Sequence, residues 1–359
     1  MSDRISSFAG PMTQDFLIQS MQSQLTTLTT EASSGLLANP AESMGANAAS
    51  LYRLQADAAE QNTLQTTTTA AGDQLTAVQD ALTSMATAVQ SVATATINTA
   101  SATPEGETAI AEQASSTMSQ VLNLLNTQYA GNSLFAGDAT SGLPMASADA
   151  SGGPQDTINA VLNAAVAAKG GPLSSSDITN LIDGPNGLSS VFNNTNTNPG
   201  QNYNGAFYTG STDGQPTTVL IGVNQTLQYN ASANQPAFTD LLKGLSMLSM
   251  LSAPSSQLDD SAKSALLQQA GTVIGQAQDE LTSLQGNLGT VQSQLQQVST
   301  TQQAAYSATT QQIATMEQAD PATVATQLST LQTQLEASYE VTAQISQLSL
   351  VHYLPALTG

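Results

Sequence analysis

The chain has 359 residues, 40% of them hydrophobic, which is enough to bury a sizeable core in two or three domains. It carries 26 acidic against five basic residues, and Arg4, Arg53, Lys169, Lys243 and Lys263 are scattered, which excludes the clustered cations that hold nucleic acid or anchor to an anionic membrane surface. Only 9% of residues are charged and cysteine is absent, so ion pairs, disulfides and thiolate chemistry are set aside, and partner choice falls to packing and to amide hydrogen bonds.

The first residues, Met1 to Phe8, lack a basic stretch followed by an apolar run, so a cleaved secretory signal is not expected, and no segment reaches the ~18 to 20 apolar residues that span a bilayer. From Phe16 onward Leu17, Met21, Leu25 and Leu28 recur at spacings of three and four, the signature of an amphipathic helix. A more regular stripe follows at Leu75, Val78, Leu82, Met85, Val89, Val92 and Thr96. Residues 102 to 106 (Ala-Thr-Pro-Glu-Gly) read as a break, with a further helix expected from near Ser115 through Met118, Val121, Leu122 and Leu125, ending by Gly131.

Between Gly137 and about Asn234 the helical period fades and Gly, Pro, Asn, Ser and Asp accumulate. Ala206 to Gly210, Thr217 to Val223 and Thr226 to Tyr229 are short β-branched or aromatic runs between turn formers and are expected to be strands, with Asn193 to Asn204 as a loop. Helix returns at Phe238 to Leu251. A Gln-rich helix then carries Leu281, Leu284, Leu288, Val291, Leu295 and Val298. Asp320-Pro321 interrupts it, and a last helix carries Val324, Leu328, Leu331, Leu335, Val341, Ile345 and Leu348.

Helix, strand-containing insert, helix is a hairpin-like order. The fold expected is mainly α, a long antiparallel, coiled-coil-like rod built from the N- and C-terminal segments with a small inserted domain between them. Burial of apolar surface, at roughly 25 cal/mol per Å², is the large term that holds such helices together. The stripes at 75 to 99 and 281 to 298 are expected to pack within the subunit. The outermost ones have no further chain to cover them, which points to contacts between subunits, and head-to-tail contacts of that kind continue into a tube.

No catalytic constellation emerges. His352 is the lone histidine, so neither a Ser-His-Asp site nor a histidine metal cluster has its parts. Asp259-Asp260 and Asp279-Glu280 are adjacent residues about 100° apart on a helix, which suits a cap and solvated faces better than an acid and base pair. Gly152-Gly-Pro and Gly170-Gly-Pro lack the Gly-Lys-Ser/Thr context of a phosphate loop and read as turns. Asn193, Asn224 and Asn230 fit the short N-glycosylation pattern, which an Asn/Thr-rich chain produces often by chance. No catalytic residue, cofactor or metal is expected.

Three segments carry a resemblance. Leu335 to Leu354 (Leu-Glu-Ala-Ser-Tyr-Glu-Val-Thr-Ala-Gln-Ile-Ser-Gln-Leu-Ser-Leu-Val-His-Tyr-Leu), Ser33 to Ser43 (Ser-Ser-Gly-Leu-Leu-Ala-Asn-Pro-Ala-Glu-Ser) and Asn126 to Gly137 (Asn-Thr-Gln-Tyr-Ala-Gly-Asn-Ser-Leu-Phe-Ala-Gly) resemble, in order, the end, the first turn and the loop before the variable domain of the bacterial flagellin family. Phe207 to Ser211, Leu220 to Asn224 and Asn234 to Lys243 look more like the outer domain of members that join hook to filament than like a filament subunit. The turn after Gly35 lacks the basic and paired acidic residues usual in the family.

The resemblance implies a structural flagellar subunit. It implies a terminal-helix assembly domain of 1–47 with 320–359, a helical rod of 48–145 with 236–319, and an outer, strand-containing domain of 146–235. It implies a subunit interface made by Leu17, Met21, Leu25, Leu28, Leu335, Tyr339, Val341, Ile345, Leu348 and Tyr353. Implied partners are other copies of the chain, a neighbouring hook-associated protein and flagellin, and an export chaperone, with delivery to the cell exterior by the flagellar type III route without cleavage. Two other readings stay open: the filament subunit itself, and a surface-binding module at 150 to 235 displayed on a helical stalk.

Overall fold

In the computed structural model the described residues are 3–98, 103–138, 142–213, 215–222 and 224–353, with side chains described from 13 to 345 apart from those at 98 and 104. They divide into two compact units, one from Leu64 to Gln302 and the other up to Thr63 together with Gln303 onward. Both are built mainly of helix. Among the described residues no helix is long and apolar enough to cross a membrane.

Helix α1 (Asp3–Ser34) is followed by the short α2 (Pro40–Met44), and then α3 (Ala48–Asn98) runs for 51 residues without a break. Within Leu64–Gln302, its residues Leu75, Val78, Leu82, Met85, Val89 and Val92 are completely buried, as the three-four spacing requires. Helix α4 (Pro104–Leu125) starts eleven residues ahead of the expected Ser115. The Thr-Pro-Glu sequence is a start signal: Thr103 Oγ1 accepts the Gly106 N–H, Pro104 opens the first turn, and Glu105 and Glu107 sit at the positive end of the helix dipole. A two-residue ladder of β1 (Gln128–Tyr129) and β2 (Asn132–Ser133) follows.

The middle of the chain is more helical than its composition suggests. Helices α5 (Pro154–Lys169), α6 (Ser175–Asp183) and α7 (Leu188–Phe192) bury Ile158, Val161, Leu162, Ile178, Leu181, Ile182, Leu188 and Val191. Their ends are marked by the residues that were read as turns. Gly153-Pro154 opens α5, Gly170 closes it in the left-handed region, and Ser174 with Asp177 forms a capping box at the start of α6. Lys169 pairs with the same carboxylate, and this contact with the Ser174 bonds holds Asp177 at about 2.

The loop expected at 193–204 ends two residues early, where the single turn α8 (Tyr203–Ala206) begins. Of Ala206 to Gly210, expected as strand, Ala206 ends α8 and Phe207 to Gly210 is an irregular segment whose Phe207 and Tyr208 are buried and stack with Phe192 and Tyr203, ring centroids 5.1 to 6.1 Å apart. The Tyr203 hydroxyl donates to Ala233 O at 2.7 Å, and burial raises its pKa. The aromatic side chains pack as core here, and the run's strand character is limited to isolated bridges at Tyr208, one of them antiparallel to Met145. The other two runs do pair, as the antiparallel hairpin β3 (Thr217–Gly222) and β4 (Gln225–Tyr229), turned at Asn224 with φ +59°.

Helix α9 (Pro236–Ser249) buries Phe238, Leu241, Leu242, Leu245 and Leu248 and packs on α4, with Phe238 edge-on to Phe135 at 5.7 Å. Gly244 lets α9 approach α10 closely, because a Cβ there would lie 2.6 Å from Ile274 Cγ1. Helix α10 (Asp260–Glu317) begins at the cap expected near 259, where Asp259 accepts the Ala262 N–H at 2.8 Å, and runs for 58 residues. Amides lace α10 antiparallel to α3: Gln79 Nε2 donates to Gln285 O at 3.1 Å, Gln278 Nε2 to Gln90 Oε1 at 3.1 Å and Gln292 Nε2 to Thr76 Oγ1 at 3.2 Å. The final helix is α11 (Pro321–Tyr353).

Candidate assembly interface

The unit made of residues up to 63 and from 303 contains the two helices nearest the chain ends. Ile18, Met21, Leu25 and Leu28 of α1 meet Leu331 and Leu335 of α11 in a narrow seam. Met21, Leu331 and Leu335 retain 6 to 7% of their exposure, and the others are half-buried. Beyond Leu335 the seam turns polar, because Ser338 and Thr342 occupy the next inward positions. Gln22 Nε2 donates to the Tyr339 hydroxyl at 2.8 Å across the pair.

Outside this seam, among the described residues, lie apolar side chains that stay exposed. Phe16 is 75% exposed, Leu17 53%, Tyr339 49%, Val341 45% and Ile345 45%. Leu17 and Val341 share a cleft of about 180 Å³ with Gln14, Ile18, Ala337 and Ser338. A larger groove of about 900 Å³ lies between α1, α2 and α11, where Phe16, Leu28 and Leu331 are set among Ser, Thr and Gln side chains. Over 13–34 and 321–345 the charged residues are Asp15, Glu31, Glu336 and Glu340, with no cation. A surface of this kind associates by apolar burial and amide bonding, with little for salt to screen.

Of the ten residues expected at a subunit interface, Met21, Leu25, Leu28 and Leu335 are therefore gathered into the seam inside the chain. Leu17, Tyr339, Val341 and Ile345 are displayed outward. The side chains of Leu348 and Tyr353 lie outside the described residues. Sequence reasoning passed over Phe16, the most exposed apolar side chain of this region, because it stands one residue off the stripe that was followed.

Among the described residues no group of three His, Cys, Asp or Glu residues is placed to hold a metal. Glu280, expected on a solvated face, is half-buried with Oε2 unpaired, and burial followed by the Asp240 charge raises its pKa against the opposing effect of Lys243. Glu107 and Lys263 form a largely buried ion pair at 3.3 Å between α4 and α10. Both are features of the packed core.

A helix near each end of the described chain pairs with the other and leaves apolar side chains exposed, and the chain's second unit is itself mainly helical. The model of the bacterial flagellin N-terminal helical region matches residues 5–140, and that of the bacterial flagellin C-terminal helical region matches 272–354, together more than half of the chain. The chain belongs to the bacterial flagellin family and is a structural component of the flagellum, where such components assemble with copies of themselves and with neighbouring flagellar proteins. Among solved structures it is similar to FlgL from Bacillus cereus, at 14% identity over 73% of this chain and 99% of that one, with a TM-score of 0.48. It is also similar to a structure described as that of a flagellar hook-associated protein from Vibrio parahaemolyticus, at 13% identity over 73% and 97%, with a TM-score of 0.43. No curated protein matches it by sequence.

Proposed function

We propose that the chain is the subunit that joins hook to filament, and that it assembles through the outward side chains of α1 and α11. The observation that carries the assembly mechanism is the exposure of Leu17, Tyr339, Val341 and Ile345 on two helices already paired within the chain. Packing inside the subunit leaves these side chains uncovered, and each buried aliphatic side chain contributes about 1.5 to 3 kcal/mol once a neighbour covers it. The junction role, as opposed to that of the filament, rests on the resemblance of 207–211, 220–224 and 234–243 to the outer domain of junction members.

On this reading 1–47 with 320–359 is the assembly domain, 48–145 with 236–319 the rod, and 146–235 the outward domain, and the role is structural instead of enzymatic. The partners are a hook-associated protein and flagellin above and below, and a chaperone that shields the C-terminal helices before export to the cell exterior. Purified chain added to filament seeds tests this. A junction subunit adds a ring or short stack and stops. Long filaments formed by this chain alone would assign it to the filament instead. Removal of the last ~20 residues is expected to abolish addition while leaving most helicity, since it takes part of one helix and none of the Leu64–Gln302 unit.

A further inference from the structure

Two breaks in the helical chain are fastened to one another. Helix α1 ends at Gly35, whose φ of +71° turns the chain out of the helix. From there the Leu37 N–H donates to Glu317 O at 2.7 Å and the Ala319 N–H donates to Gly35 O at 2.9 Å, so Leu36 and Gln318 stand opposite each other as an antiparallel bridge. Bonds on each side hold this short ladder in place. The Ala38 N–H donates to the buried Glu31 carboxylate at 3.0 Å, Gln55 Nε2 donates to Glu317 Oε1 at 2.7 Å, and Asp320 caps α11 by accepting the Ala322 N–H at 3.0 Å.

The seam that these two breaks flank is ambiguous when taken alone. Its inward positions repeat every three and four residues on both helices, so a slide of one heptad, about 10 Å, again sets apolar side chains against apolar side chains. In the register of the bridge, Met21, Leu25 and Leu28 fall about level with Leu335, Leu331 and Leu328. One heptad away, Ile18, Met21 and Leu25 would fall level with Leu331, Leu328 and Val324, again three apolar pairs. Flanking pairs of opposite charge, which choose the register in many helix pairs, are missing here, since the pair carries four carboxylates and no cation over its described side chains.

We infer that the Leu36–Gln318 bridge is a register lock: it selects one of the near-equivalent alignments of α1 on α11 and thereby fixes which apolar side chains are left facing outward. A backbone ladder is suited to this task, because its bonds are lost altogether on a heptad slide, whereas the seam loses little. The inference concerns the isolated chain and does not depend on what the chain assembles with.

The absence of cysteine makes the test clean. Gln14 and Val341 line the same cleft, so Gln14→Cys with Val341→Cys reports the locked register, whereas Gln14→Cys with Gln334→Cys reports the slipped one. A disulfide needs Cα atoms within ~4.4 to 6.8 Å, far less than the slide. With the bridge intact, the first pair is expected to oxidise at least tenfold faster than the second. Leu37→Pro removes one bridge donor while suiting the extended backbone of Leu36, and it is expected to bring the two rates within about threefold. An unchanged preference would overturn the lock. So would loss of both products or of helicity, since the bridge would then be a tether for the pair. Gln22→Ala, which removes the bond to Tyr339, is expected to leave the preference intact, and slippage in that variant with the bridge unaltered would also overturn the inference.

Discussion

Residues 64–302 and the terminal pair α1 and α11 are built from the same kind of helix but complete their cores to different degrees. In the first, α3, α4, α9 and α10 surround side chains such as Leu75, Leu82, Met118, Phe238 and Ile274 that have no exposure left. In the second, one helix faces one helix, only Met21, Leu331 and Leu335 of the seam fall below a tenth of their free exposure, and five large apolar side chains remain open. Two helices can cover only one stripe on each other. The difference teaches that self-sufficiency is set by how many neighbours an element has, since the spacing of apolar residues is nearly the same in both places.

That contrast can be broken by substitution. Phe238→Ala, which removes a ring from the α4, α9 and α10 core, is expected to lower the stability of the 64–302 unit by about 3 to 5 kcal/mol in urea unfolding. Met21→Ala in the terminal seam is expected to reduce helicity while moving the main transition by less than about 0.5 kcal/mol. Coincident shifts for both variants would mean that the two regions unfold as one. Lys263→Met leaves the Glu107 carboxylate buried without its partner and is expected to cost about 3 kcal/mol. Lys169→Met at the more open pair with Asp177 is expected to leave the urea midpoint where it is.

A substitution that stabilises instead of weakening sharpens the picture of the core. Glu280 has its pKa raised on folding, so ionisation there opposes the folded state, and the penalty is present above its folded pKa and relieved as pH falls through it. Glu280→Gln is therefore expected to raise the urea midpoint of the 64–302 unit at neutral pH, with the gain shrinking as the pH falls. A gain that grew on acidification would show that the charge is favourably compensated.

Much of this was legible in the sequence because long helices write their packing into spacing. The stripe from Leu75 to Val92, the interruption at Asp320-Pro321 and the hairpin at 217–229 each follow from a local rule. Helices α5 to α7 were not legible, because Ala, Ser and Asn dilute their stripes and their caps, Gly153-Pro154 and Gly170, look like loop. Phe207 and Tyr208 carried a strand's composition into an irregular core segment. At the candidate interface, the apolar stripes were visible but their division was not: only the pairing of α1 with α11 separates Met21 and Leu335, which face inward, from Leu17 and Val341, which face out. The Leu36–Gln318 bridge joins residues far apart in the chain through backbone groups, which leave no mark on side-chain pattern.

The central claim is that the outward side chains of the terminal pair are the assembly surface. Its most direct test is seeded assembly, followed by light scattering and electron microscopy, of Leu17→Ser, Val341→Ser and Ile345→Ser combined in one chain. The account predicts unchanged helicity and urea unfolding of the 64–302 unit, with addition to the seed reduced at least tenfold. Addition at the rate of the unaltered chain would contradict it.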